Sequence, residues 1–354
     1  MNIEELFEAT IQAKASDLHL VAGVAPVVRV DGALSTLSAY QPLTNQELED
    51  LIIPVLSEIQ KKSLAENRAL DFSYGYGGGD YGEKGRFRIN LYYQRNTLAA
   101  AFRLLPERVR TPEELALPPI CHELANLKQG FVIVTGPTGH GKSTTIASII
   151  NEINLNSGRN IITVEDPIEY VYPKGMSLIS QREIGIDSLS WGESLKSALR
   201  EDPDVLLIGE MRDPDSISSA ITVAETGHLV FSTLHTNSAS QSIDRMIDSF
   251  PEKQQGQIRA QLSGSLAAVI SQRLIPKIGG GRVVAVEVMI ANNAIKSNIR
   301  EGKTHLIDSI IQTSQDVGMI PLEVTLANLA KEGIISIDTA KSYALRIDAL
   351  EQLL

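Results

Sequence analysis

From about residue 120 onward the sequence alternates short apolar runs with stretches of helical spacing. The runs are FVIVT (131–135), NIITV (160–164), DVLLI (204–208) and HLVFST (228–233), with RVVAVEVMI (282–290) as a fifth. Apolar runs of this length, rich in β-branched residues and separated by helical patterns, predict a parallel α/β sheet. Residues 291 to 354 have mainly helical spacing.

Residues 1 to 103 follow another pattern. Helical spacing covers residues 2 to 15, and DLHLVAG and APVVRVDG follow with Gly23, Pro26, Asp31 and Gly32 as turn signals. Residues 44 to 66 again have helical spacing, with Thr44 as N-cap and Glu47 as its capping-box partner. DFSYGY and RFRINLYYQ predict strands around a glycine-rich turn at 77 to 85, and TLAAAFRLL predicts another. These elements make a smaller α+β domain with an antiparallel sheet. Between the two patterns lies LLPERVRTPEELALPP (104–119), whose four prolines cannot continue a helix or a central strand. It is expected to be an interdomain linker, with the second domain covering 120 to 354.

Composition narrows the function classes. At 43% hydrophobic and 21% charged residues, a chain of 354 residues can bury real cores and is not generally disordered. A net charge of −11 is a poor match to nucleic-acid phosphates, so no nucleic-acid partner is expected. The lone cysteine, Cys121, allows no intramolecular disulfide and no cysteine zinc cluster, and reads as a small, partly buried apolar residue. The acidic start MNIEELFEAT has no signal-peptide layout, and no run of about 18 apolar residues occurs. A cytoplasmic protein is expected, reaching a membrane only through partners.

The chemistry concentrates at the ends of the apolar runs. After FVIVT, the residues Gly136, Gly139, Gly141, Lys142 and Ser143 fill the pattern G-x-x-x-x-G-K-S/T, and the helix-forming run TIASIINEI follows. Strand, phosphate loop and helix stand in the order a nucleotide site requires. Glycines let the backbone N–H groups converge on an anion, Lys142 adds positive charge for the terminal phosphates, and Ser143 offers a hydroxyl to Mg²⁺. After NIITV come Glu165 and Asp166, then Glu169; after DVLLI come Gly209 and Glu210; after HLVFST comes His235. Nucleotide hydrolysis needs a carboxylate for Mg²⁺ and a group that positions or deprotonates water. Glu210 best fits the first task, the Walker-B position, with Gly209 removing bulk beside it. Glu165 fits the second, although Glu165 and Glu169 could equally cap a helix or sit in water. His235 is open between a γ-phosphate sensor and a structural histidine, and His228, opening its strand, reads as structural. Asp202, Asp204, Asp213 and Asp215, beside Pro203 and Pro214, read mostly as turn and cap residues. Phosphoryl transfer also wants cations near the γ-phosphate. Arg86, Arg88, Arg95 and Arg103 cluster on strands of the first domain, Arg86 and Arg88 sharing a face, and Arg200 and Arg212 are further candidates. Each could instead be a solvated surface residue.

These segments together resemble the secretion-ATPase superfamily, and within it the type IV pilus retraction ATPases. GPTGHGKST (136–144) looks like the Walker A of that family, with His140 where a small serine is usual. ITVEDPIEY (162–170) is similar to its aspartate box, LKSALREDPDVLLIGEMRD (195–213) to its Walker B, and TGHLVFSTLHTNSA (226–239) to its histidine box. AIKSNIREGK (294–303) is similar to a C-terminal helical motif tied to retraction, and GRFRINLYYQR (85–95) to the arginine-bearing strands of a PAS-like domain. The resemblance implies a RecA-like P-loop ATPase domain, a PAS-like N-terminal α+β domain and a helical C-terminal region. It implies ATP and Mg²⁺ as cofactors and a nucleotide cradle of Gly136, Thr138, Gly139, His140, Gly141, Lys142, Ser143 and Thr144. It also implies Ser143 and Glu210 at the metal, and Glu165, Glu210 and His235 in catalysis. A homohexamer is implied, with Arg86, Arg88, Arg95 and Arg103 completing sites in trans. Its expected partner in twitching motility is an inner-membrane pilus platform protein, to which it is peripherally recruited, with other pilus ATPases as further candidates. Extension and type II secretion ATPases carry a larger N-terminal region and a four-cysteine zinc module, which the single cysteine here argues against. GMIPLEVTL (318–326) departs from the sequence usual at that place, so a retraction paralogue or a related secretion-system or pilus-extension ATPase stays open as the alternative, with a RecA-like nucleic-acid motor less favoured.

Overall fold

The computed structural model describes residues 2–30, 32–77 and 84–354. The turn signal Asp31 and most of the glycine-rich turn at 77 to 85 lie outside the described residues. The chain divides into two compact units, Met1–Arg108 with Asp166–Val171, and Val109–Glu165 with Tyr172–Leu354. The excursion of Asp166–Val171 into the first unit is invisible to a division of the sequence at its proline-rich stretch.

In the first unit the helix Ile3–Gln12 is capped by Asn2, whose Oδ1 accepts from Glu5 N at 2.8 Å. Among the described residues six strands follow: β1 (Asp17–Val21), β2 (Val27–Val30), β3 (Ala33–Thr36), β4 (Ala69–Tyr76), β5 (Gly85–Gln94) and β6 (Thr97–Leu104). All pair antiparallel in the order β3-β2-β1-β6-β5-β4. The core forms where the helix covers this sheet: Phe7 stacks on Phe87 with centroids 4.2 Å apart and meets Phe102 edge-on. The helical stretch at 44 to 66 is two helices, Asn45–Ile52 and Glu58–Asn67, joined by a 3-10 turn. Pro54 has no N–H to continue the first helix, and Ser57 starts the second by accepting from Gln60 N at 3.3 Å.

In the second unit the strands are β7 (Gly130–Thr135), β8 (Asn160–Glu165), β9 (Leu178–Glu183), β10 (Val205–Ile208), β11 (Leu229–Leu234), β12 (Leu266–Pro276) and β13 (Arg282–Ile290). They order as β13-β12-β7-β11-β10-β8-β9, parallel from β12 to β9, with β13 returning antiparallel on β12. Pairing of β12 with β7 passes a bulge: Leu266 faces Phe131, Ala268 faces Val132, and Ala267 is the extra residue. Alternate residues supply two cores. Phe131, Ile133, Leu206 and Ile208 pack with the helices Pro214–Glu225, Ala239–Asp248 and Glu252–Ser265. Val132, Val134, Val205 and Leu207 pack with Ile120–Ala125 and Lys142–Asn156. Beyond β13 the chain forms the helices Asn293–Glu301, Ile307–Thr313, Leu322–Lys331, Ile337–Tyr343 and Ile347–Leu353.

Candidate nucleotide site

Parallel strands end at a common edge, and the chemically capable residues all follow those ends. β7 pairs with β11 up to Thr135↔Leu234, and β11 pairs with β10 up to Ser232↔Ile208. The phosphate loop, the His235 loop and Glu210 therefore leave neighbouring strands at one end of the sheet.

The loop turns sharply because its glycines occupy the left-handed region: φ is +143° at Gly136 and +81° at Gly141. A Cβ on Gly136 would lie 2.2 Å from Gln272 O, so no side chain fits there. The helix Lys142–Asn156 begins directly after Gly141, with Ser143 exposed in its first turn and Thr144 half-buried. The N–H groups of that turn stand at the positive end of the helix dipole.

Lys142 is buried, and its Nζ donates to Gly136 O at 2.9 Å and Pro137 O at 3.0 Å. It also lies 3.2 Å from His235 Nδ1, while His235 Nε2 lies 3.4 Å from Glu210 Oε2. An ammonium has no lone pair, so Nδ1 must accept and the ring proton sits on Nε2, facing the carboxylate. Thr138 Oγ1 stands 3.4 Å from the same Nδ1. Lys142, His235 and Glu210 thus form one continuous chain of contacts. Burial acts to raise the Glu210 carboxyl, but the Arg212 guanidinium that pairs with it, together with His235, outweighs this and holds it below the ordinary value. Glu210 is a committed carboxylate.

Glu165 ends β8 beside this chain. Its Oε1 accepts from Thr163 Oγ1 at 2.7 Å and from Gln181 Nε2 at 3.4 Å, and a Cβ on Gly209 would lie 3.3 Å from its Cα. Gly209 lets the chain leaving β10 pass close to the main chain of β8 at Glu165. His228 lies apart, its Nδ1 2.9 Å from Thr226 Oγ1 and 3.1 Å from Val223 O. Asp213 caps the helix Pro214–Glu225 through Ser216 N at 2.7 Å, and Asp204 accepts from Asn160 N at 2.8 Å. Arg200 is exposed.

The first-unit arginines are engaged within their own unit. Arg86 bonds Ser73, Arg88 pairs with Asp71 at 2.6 Å and lies 3.8 Å from Glu169, and Arg103 pairs with Asp17 at 3.0 Å. Arg95 is not on a strand. Arg95 and Asn96, with φ of +45° and +63°, make the β5–β6 hairpin turn, which demands left-handed residues.

Sequence reasoning missed Gln272 on β12, whose carboxamide touches the loop, and Thr163, which orients Glu165. A polar residue within LAAVISQRLIP (266–276) was the available signal for the former.

Comparison with known proteins agrees with this geometry. Residues 115–330 match the family described as type II/IV secretion system protein. The chain is 44% identical to the type IV pilus retraction ATPase PilT of Pseudomonas aeruginosa, over 97% of this chain and 98% of that protein. It is 42% identical to a twitching motility protein of Neisseria gonorrhoeae, over 94% and 88%. A crystal structure of the pilus retraction motor PilT with bound ADP superposes with a TM-score of 0.91 at 45% identity, covering 99% of each chain. The Legionella pneumophila ATPase DotB gives 0.84 at 26% identity, covering 96% of this chain and 94% of that one.

Proposed function

Because this chain belongs to the family of type II/IV secretion system proteins, we propose that it works as a hexameric, ATP-hydrolysing motor that retracts a type IV pilus. The contact chain Lys142–His235–Glu210 supports ATP hydrolysis, and the near-full-length likeness to a retraction ATPase supports the retraction role. The residues fit a nucleotide with Mg²⁺: a helix N-terminus with an exposed hydroxyl stands on one side and a carboxylate held ionised on the other. Bound Mg²⁺ would neutralise charge on the phosphates.

In this reading Lys142 leaves the loop carbonyls to bind the terminal phosphates, and the loop from Gly136 through Thr144 wraps them with main-chain N–H groups. Ser143 and Glu210 would hold the metal. Glu165 orients and deprotonates the attacking water, its carboxylate steadied by Thr163. His235, in contact with both Lys142 and Glu210, registers whether the γ-phosphate is present. Arg86, Arg88 and Arg103 act across the subunit interface once released from Ser73, Asp71 and Asp17. No helix among the described residues is long and apolar enough to cross a membrane; recruitment to the inner membrane goes through a platform protein.

Deletion of the gene in its host, followed by imaging of surface fibres, tests the role. A retraction motor predicts surplus, immobile fibres; bald cells would assign it to extension instead.

A further inference from the structure

β12 outruns β7. Their pairing ends at Ser271↔Thr135, while β12 continues to Pro276 on the support of β13 alone. Along that stretch the phosphate loop takes the place of a neighbouring strand. Gln272, 1% exposed, donates through Nε2 to His140 O at 2.7 Å and accepts through Oε1 from Thr145 Oγ1 at 2.6 Å. One carboxamide thereby ties the loop to the first turns of the helix behind it, with both ends used and the amide orientation fixed by its partners. Two residues on, Leu274 N donates to His140 Nδ1 at 3.1 Å. The main chain of β12 lies so close that Gly136 tolerates no Cβ.

The imidazole is chemically committed. Accepting a main-chain N–H requires a lone pair on Nδ1, so the ring is neutral with its proton on Nε2. The surroundings favour that state: burial first, then the cationic Arg273 of β12, Lys142 of the helix and Arg282 of β13, hold His140 below the ordinary histidine value.

We propose that Gln272 and His140 are the positioning residues of the phosphate loop, pinning it to the free edge of β12 so that its anion-binding curve exists before a nucleotide arrives. A preformed cradle spends less of the binding energy on ordering, so the lock acts on nucleotide affinity more than on the rate of the bound complex. The histidine in this loop is then a main-chain acceptor. The proposal rests on the loop being the phosphate site, and the test separates the two.

The full-length protein is titrated with a fluorescent ADP analogue in Mg²⁺ buffer, and kcat and KM for ATP are measured in parallel, from pH 6 to 8.5. His140→Gln, whose amide falls near the Nε2 position, loses the acceptor and raises the dissociation constant about fivefold, the worth of one net hydrogen bond. His140→Asn, whose Oδ1 falls near Nδ1, recovers most of that loss. Gln272→Met keeps length and volume but breaks two bonds and weakens binding about tenfold or more. In all three the loss falls on the dissociation constant and on KM more heavily than on kcat.

Unchanged affinity in His140→Gln and Gln272→Met, His140→Asn no better than His140→Gln, or losses in kcat that match those in affinity would each overturn the lock. Lys142→Ala runs alongside. If it abolishes binding while the others bind normally, only the lock fails; if it too binds normally, the phosphate-site reading falls with it.

Discussion

Replacing Glu287 with glutamine should change how the stability of the second unit depends on pH. Glu287 sits on β13, 2% exposed, and its Oε1 accepts from Ala239 N at 2.8 Å, the first residue of the helix that follows the His235 loop. Burial pushes its carboxyl from an ordinary 4.5 up to about 7, against the opposing pull of the Ala239 N–H. The folded protein therefore holds a proton that the unfolded chain has released once pH exceeds about 4.5. Stability from this group is fully present below that value and is lost as pH rises through 7. Each pH unit across the window is worth about 1.4 kcal/mol, giving up to ~3 kcal/mol between pH 4.5 and 7. Glu287→Gln keeps an acceptor for Ala239 N and removes the titration. The gap between variant and wild type should move in the variant's favour by up to ~3 kcal/mol from pH 5 to pH 8. Urea titrations read through Trp191 are suited to the measurement: it is the only tryptophan and packs against the core of this unit. A gap that stays constant over the whole range would refute the reasoning.

Three further outcomes are expected. Glu210→Ala should bind ATP and hydrolyse it at least about 10²-fold more slowly; near-normal turnover would remove Glu210 from the metal. Gly136→Ala drives a methyl into Gln272 O and should lower both the urea midpoint and nucleotide affinity, so wild-type values for both would contradict the close approach. Mixed rings of Arg88-substituted and Lys142-substituted subunits should regain some ATPase activity if arginines serve the neighbouring site; silence in rings of verified mixed composition would leave Arg88 to its pairing with Asp71.

The central strands were legible because each is buried on both faces. VLLI of β10 and FVIVT of β7 have no exposed position, so they read as unbroken apolar runs bounded by polar residues. β9 was not legible: LISQRE lies at the sheet edge, mixes polar with apolar, and exposes Leu178. β12 escaped for a different reason, since it starts at Leu266 directly where the helix Glu252–Ser265 stops, with no turn residue between them. Losing β12 hid Gln272, and with it the understanding of His140, which sequence alone left as an anomaly. The chain Lys142–His235–Glu210 was readable as two strand-end residues and the lysine of the phosphate loop, but nothing in their spacing fixes the tautomer of His235. The arginines show the opposite limit: period-two spacing put Arg86 and Arg88 on one face, while their partners Ser73 and Asp71 come from a strand whose register only folding defines.

The extra residue at Ala267 works as a phase shifter for everything downstream on its ribbon. Side chains along a strand alternate between two sides, so one inserted position decides whether Gln272 or its neighbour Arg273 faces the phosphate loop at 136–144. Deleting Ala267 would keep every other hydrophobic residue in the sequence and still present the wrong half of them. Drift in this segment should therefore be tolerated as substitution and rejected as a change in length.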